Sequence, residues 1–190
     1  MSLIRSAALA ALLVISTSSI ALAHKGVIHT GCPYGQVFTA GGITVSGAYI
    51  RATVKGAQVA GAYLSVANSG TEADSLTGAS SEAASSITLH QMHMNGNVME
   101  MTAVEGGLEV PPGGSVALDP MGYHLMMTGM EQQFVEGACV AMVLHFAKAG
   151  DIPVQLNIGK INQDGAPTGA PEGASSQPDM SGMDMSSMAM

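Results

Sequence analysis

Two short stretches of the chain gather the residue types that bind soft metal ions. The first runs from His90 to Met101 and reads His90-Gln91-Met92-His93-Met94-Asn95-Gly96-Asn97-Val98-Met99-Glu100-Met101. Asn95-Gly96 is a strong two-residue hairpin signal, and a turn centred there pairs 94 with 97, 92 with 99 and 90 with 101. On that register His90 faces Met101 directly, at the Cβ separation of about 4.5 to 5.5 Å typical of opposed strand residues. Met92 and Met99 fall on the same face, and His93 points away. The second stretch is Tyr123-His124-Leu125-Met126-Met127. On a strand, His124 and Met126 share one face, while Tyr123, Leu125 and Met127 share the other.

Either pair alone is explained as core methionine or surface histidine. Two His/Met pairs on strands argue for a joint site. Two imidazoles and two thioethers, with no carboxylate among them, suit Cu(I), whereas zinc is ordinarily given Cys, a third His or a carboxylate. A thioether needs no deprotonation and cannot be lost to a disulfide, an advantage in an oxidising compartment.

The elements that must hold these residues read as strands. Five- to eight-residue apolar or alternating runs are separated by Gly, Pro, Asn and Ser, with strands expected at Ile43–Arg51, Gly61–Ala67, Ser75–Ala79, Ser86–Met94, Val98–Val104, Gly107–Val110, Val116–Leu118, Tyr123–Thr128, Ala138–Phe146 and Ile152–Ile158. No long segment keeps a helical period. The expected class is all-β, an antiparallel Greek-key sandwich or barrel. His145 alternates with core-type residues on its strand and is expected to face solvent.

Composition bounds the rest. The chain has 190 residues, 47% hydrophobic and 11% charged, enough for one folded domain. Its net charge of −8 lacks the basic footprint that a nucleic-acid partner requires. Residues 1–23 read as a secretory signal, with Arg5 at its start, Ala7 to Ile15 as its apolar core and Ala21-Leu22-Ala23 as its cleavage site, so the mature chain is expected to begin at His24 in the periplasm. Ser16 to Ser19 interrupt the apolar run short of the roughly 20 residues of a membrane span, and none is expected after cleavage. Cys32 and Cys139 are an isolated pair, read in that compartment as a disulfide in preference to a metal or catalytic site.

Residues 24–162 form the expected β domain, and 163–190 a flexible tail of Gly, Ala, Pro, Ser, Asp and Met that lacks the apolar surface to fold alone. Fifteen methionines exceed what packing needs, and five of them, Met180, Met183, Met185, Met188 and Met190, lie in this tail. They read either as a secondary copper-capture arm or as an inert terminus. His24, with a free amine after cleavage, offers a Cu(II) chelate or nothing specific.

The spacing resembles that of the periplasmic copper chaperone family PCuAC, whose signature is a His, a Met after ten residues and a His-x-Met after twenty-one or twenty-two more. Ten residues separate His90 from Met101, twenty-two separate Met101 from His124, and Met126 completes the pattern. The resemblance extends from Ile43 to Ile158, including Gly107-Leu-Glu-Val-Pro-Pro-Gly-Gly114 and Glu136-Gly137, and departs at Met121, where the family more often has Gly. It implies a cupredoxin-like barrel that binds Cu(I) and delivers it to the dinuclear CuA centre of cytochrome c oxidase subunit II or related cuproenzymes, with a thiol-containing copper assembly protein as a further partner. A copper-sequestering resistance protein would use the same ligands. An electron-transfer cupredoxin would need a Cys thiolate, for which only Cys139 followed by His145 offers a faint match. No Ser/His/Asp spacing, paired carboxylates or phosphate loop points to an enzyme.

Overall fold

The computed structural model describes residues 28–167. They form twelve strands: β1 (His29–Thr30), β2 (Val37–Ala40), β3 (Ile43–Arg51), β4 (Val59–Asn68), β5 (Asp74–Ser80), β6 (Ser86–Asn95), β7 (Val98–Ala103), β8 (Leu108–Val110), β9 (Ser115–Leu118), β10 (Tyr123–Thr128), β11 (Ala138–Phe146) and β12 (Gly150–Gly159). No helix occurs among the described residues. The ten strands expected from alternation are all present, and β3, β10 and β11 have the expected bounds. The two short strands β1 and β2 fall in the lead segment, where two and four residues are too few to show a period.

The strands join into one mixed sheet, ordered β7-β6-β10-β9-β4-β3-β12-β11-β5-β8, with β1 on β11 and β2 on β3. The path ends at β7 and β8 and does not close into a barrel. Most neighbours are antiparallel as expected, but β12 lies parallel to β3 and β10 parallel to β9. The first joins strands far apart in sequence, and the second is a single pair, Tyr123 with Leu118, between two strands that both run antiparallel to β4, so local periodicity encodes neither.

The sheet curls around one core. Ile43, Val45 and Ile50 of β3, Leu64 and Val66 of β4, Leu125 and Met127 of β10, Met142 and Leu144 of β11, and Ile152, Leu156 and Ile158 of β12 are all at most 2% exposed. Alternation assigns each strand an inner and an outer face. In β10 it sends Leu125 and Met127 inward and therefore puts His124 and Met126 on the outer face.

At the ends, Cys32 is disulfide-bonded to Cys139, with Cα atoms 6.2 Å apart, tying the lead segment to β11. At the other end, the residues just past the composition boundary at 163 are held on the domain. Arg51 donates to the Gln163 carbonyl at 2.8 Å and pairs with Asp164, and Gly165 N–H donates to the Tyr49 hydroxyl at 3.0 Å.

Candidate metal centre

The β6–β7 hairpin and β10 build the outer face on which the predicted ligands meet. The hairpin register pairs Asn95 with Val98, Met94 with Met99, Met92 with Met101 and His90 with Ala103. This is two positions along β7 from the register expected of an Asn95-Gly96 turn. The loop residues are instead Gly96 and Asn97. Gly96 takes φ +63° and no non-glycine residue among the described residues has positive φ, the sign pattern of a II′ turn with Gly in its first central place. The I′ turn that Asn-Gly favours would have put Asn95 in the left-handed region, which Asn tolerates, so the loop position follows the pairing of the flanking strands. Because the slip is an even number of residues, every side chain keeps its face. His90 consequently faces Ala103 rather than Met101, and Met101 lies diagonal to it.

The direct partner of His90 is His124, opposite it in the β10–β6 pairing. The two rings stand edge to face with centroids 5.9 Å apart, close enough for one nitrogen of each to reach a shared ion at about 2 Å. Met101 reaches across to His124, with its Sδ 3.2 Å from the imidazole Nε2. His124 Nδ1 lies 3.2 Å from the Gly122 carbonyl, and since this carbonyl and the Met101 thioether both only accept, the ring can donate from either nitrogen. The tautomer that donates from Nδ1 to Gly122 is the one that leaves the Nε2 lone pair to a metal beside the Met101 sulfur. A backbone carbonyl that accepts in this way is a usual outer partner of a metal-binding histidine.

His90 shows the complementary feature. Its Nε2 is 3.0 Å from the Thr88 hydroxyl, while its Nδ1 is shielded from water and has no hydrogen-bond partner. A buried polar atom left so costs about 1 to 3 kcal/mol, and a metal ion would satisfy it. Burial, and secondarily the neighbouring His124, hold the His90 pKa below the ordinary histidine value, which keeps the ring in its metal-binding neutral form. Met126 lies two residues beyond His124 on the same face of β10, opposite Thr88 and Gly61.

The site is closed on its inner side and open at the hairpin. His124 is only 5% exposed and Met126 is half-buried, while Met101 is 46% exposed. Behind His124, the Tyr63 ring lies 6.5 Å away, Tyr49 stacks 5.0 Å from Tyr63, and the Arg51 guanidinium sits 5.6 Å over the Tyr63 ring. Burial pushes both phenols above their ordinary pKa. The Tyr63 hydroxyl crosses over Gly61, in space that any Cβ at 61 would occupy. Sequence reasoning did not single out this aromatic support, because Tyr63 reads as an ordinary strand residue until β4 is placed beside β10.

Of the secondary candidates, Met92 and Met99 occupy the same outer face as His90, joined by Met94, which the sequence reading passed over. His24, Met180, Met183, Met185, Met188 and Met190, and the signal segment 1–23, lie outside the described residues. Among the described residues no group of three or more His, Cys, Asp or Glu could hold a metal.

Two further sequence readings can be placed. Cys139 is bridged and fully buried, which leaves no thiolate for an electron-transfer copper centre. His145 is half-exposed as expected, but it belongs to a chain that spacing did not reveal. Its Nε2 is 2.9 Å from the Ser80 hydroxyl and its Nδ1 is 2.7 Å from Asp151. The Asp151 side chain is 71% exposed, so water competes for it, and the chain reads as a surface tie between β5, β11 and β12.

The fold is that of a class of small all-β domains, the cupredoxin-like PCuAC domains. The copper-bound PCuAC domain from PmoF2 superimposes with a TM-score of 0.55 and 25% identity, over 66% of this chain and 98% of that one. The apo PmoF2 domain matches with a TM-score of 0.55 and 25% identity over 69% and 100% of the two chains. Apo-DR1885 from Deinococcus radiodurans shares the fold, with a TM-score of 0.51 and 24% identity over 73% and 93%. In sequence, residues 43–158 match the LpqE-like family, described as "Putative lipoprotein LpqE-like". Lxx21020 of Leifsonia xyli subsp. xyli, which carries the same lipoprotein description, is 29% identical over 119 residues, 63% of this chain and 70% of its own. The chain belongs to the LpqE-like family, which is the PCuAC family.

Proposed function

We propose that this protein is an exported, periplasmic copper chaperone that binds Cu(I) through His90, Met101, His124 and Met126. The reading rests on the 3.2 Å approach of Met101 Sδ to His124 Nε2, in a ring whose Nδ1 lies within donating distance of the Gly122 carbonyl. The buried, unpartnered Nδ1 of His90 across the strand pair and the copper-bound PmoF2 relative support it.

The geometry suits a carrier. Two imidazoles held on adjacent strands need no rearrangement to bind, so affinity is gained without ordering a loop. Neutral nitrogen and sulfur donors leave the ion its single positive charge, in a setting shielded on one side by Tyr63. The exposed side, at Met101 on the terminal strand of the sheet, is where an acceptor's thiolate or imidazole can enter the coordination sphere before a thioether leaves. Copper thus passes between ligand sets without a change of oxidation state. The acceptors proposed are the CuA centre of cytochrome c oxidase subunit II, directly or through a thiol-containing assembly protein. His24 and the tail methionines are proposed as weaker accessory sites, with Cu(II) a further guest of the former.

The test is competition with a chromophoric Cu(I) chelator. Replacing Met101 and Met126 together by Leu changes volume little and should preserve the fold, yet lower Cu(I) affinity by at least two orders of magnitude. An unchanged affinity rejects the site. Incubation of the copper-loaded protein with an apo CuA domain separates delivery from storage: transfer is expected, and retention would mark a sequestering protein.

A further inference from the structure

We propose that the β6–β7 hairpin carries a second Cu(I) station made of thioethers alone, Met94 and Met99 with Met92, which loads the His/Met centre from solvent. The proposal rests on reading the outer face as a Cu(I) surface and adds a site and a direction of travel to it.

The register carries the argument. Met92 opposes Met101, and Met94 opposes Met99, on the face that also holds His90 and His124. Val104 N–H donates to the Leu89 carbonyl at 2.9 Å, which makes the 89/104 pair a hydrogen-bonded one. Hydrogen-bonded and non-hydrogen-bonded pairs alternate along an antiparallel ladder, so 90/103, 92/101 and 94/99 are all of the second kind, with Cα atoms about 4.5 Å apart and side chains closest. Two successive thioether pairs therefore form a ladder from the hairpin tip down to His124, where Met101 already touches Nε2.

Packing does not account for these methionines. Met127, Met130 and Met142 are the buried ones, at 0, 5 and 2% exposure, whereas Met94 is 58% and Met99 37% exposed. The opposite face of the same hairpin carries the polar pair His93 and Glu100, 3.7 Å apart, so the segment is not apolar overall. Its sulfurs are confined to the side of the His pair. Met121 adds a third approach. It is 69% exposed in the turn whose Gly122 carbonyl accepts from Met92 N–H at 3.0 Å, which sets that turn against the ladder.

Thioethers are neutral, weak and quickly exchanged ligands for Cu(I), and the hairpin backbone has already met the ordering cost that a free Met-rich chain would incur on binding. A station of two or three sulfurs should thus capture the ion readily, hold it less tightly than the mixed imidazole and thioether centre, and release it to Met101.

The test uses the full chain and Cu(I) supplied by a weak chelator without oxygen. The ε-methyl signals of Met94 and Met99, assigned with the single Leu variants, are followed by NMR. They should shift on addition of copper beyond the first equivalent, and also with the first equivalent in the His124→Ala variant, whose main centre is broken. Met94→Leu/Met99→Leu should bind one Cu(I) fewer per chain, keep the affinity of the first equivalent, and load it several-fold more slowly. Unmoved Met94 and Met99 signals, or a double variant with wild-type stoichiometry and loading rate, overturn the proposal even where the first equivalent binds tightly. Loss of that tight first equivalent in the wild-type chain would instead defeat the reading of the main centre.

Discussion

At the scale of single residues, the chemistry depends on groups that hold the ligands as much as on the ligands. Gly122 contributes only a carbonyl, yet a hydrogen bond to it from His124 Nδ1 is what would leave Nε2 free for a metal. Gly61 contributes only empty space, which the Tyr63 hydroxyl fills beside Met126. Gly61→Ala should therefore displace the Tyr63 ring from its place behind His124. The expected result is a loss of about 1 to 3 kcal/mol in denaturant unfolding together with weaker Cu(I) binding. A stable variant with wild-type copper affinity would show that the ring gives no support to the centre.

At the scale of elements, the hairpin and the start of β5 depend on two local devices. Gly96 adopts a φ of +63°, so Gly96→Ala is expected to cost about 1 to 2 kcal/mol and to speed hydrogen exchange in β6 and β7 while leaving β11 and β12 protected. At the start of β5, burial alone would raise the Asp74 pKa, but backbone N–H groups of Ala149, Lys148 and Ser75, together with the Lys148 cation, hold it below the ordinary carboxylate value. A carboxyl with a depressed folded-state pKa binds fewer protons folded than unfolded. Its stabilisation is complete above the unfolded value of about 3.9 and is lost as pH falls through the lower folded value. Asp74→Asn should destabilise by about 2 to 3 kcal/mol at pH 7, and the difference from wild type should narrow in melts below pH 4.

At the scale of the whole molecule, the two ends of the described region are tied to the sheet. The Cys32 to Cys139 bridge closes a loop of 107 positions, worth on the order of 4 to 5 kcal/mol by its effect on the unfolded chain. Thiol titration of the denatured, unreduced protein should find no free cysteine. Reduction should lower the melting temperature without removing the copper centre, whose ligands lie on other strands. Because Arg51 and Tyr49 hold Gln163 to Gly165, a truncation meant to remove only the Met-rich segment should follow Pro167. It is expected to reduce total copper bound and leave the tight Cu(I) equivalent intact by chelator competition.

Much of this was legible in residue order. Alternation of apolar residues marked ten of twelve strands, since burial of one sheet face has a period of two wherever it occurs. The same period put His90, Met92 and Met101 on one face and His124 with Met126 on one face, and the resemblance in spacing joined the two groups into the proposed centre. Turn chemistry was a weaker guide. Asn95-Gly96 pointed to the hairpin but misplaced its turn by one residue, because Asn-Gly and Gly-Asn both make two-residue loops and the choice lies in which pairing the flanking strands prefer. What the tertiary structure alone decided was adjacency across the sheet. That His124 faces His90, that Met101 reaches His124, that Tyr63 closes the site from β4, and that Ser80, His145 and Asp151 meet on the far flank all depend on pairings between strands distant in sequence. Such pairings are selected by the packing of the whole core, a property that no local stretch of residues carries.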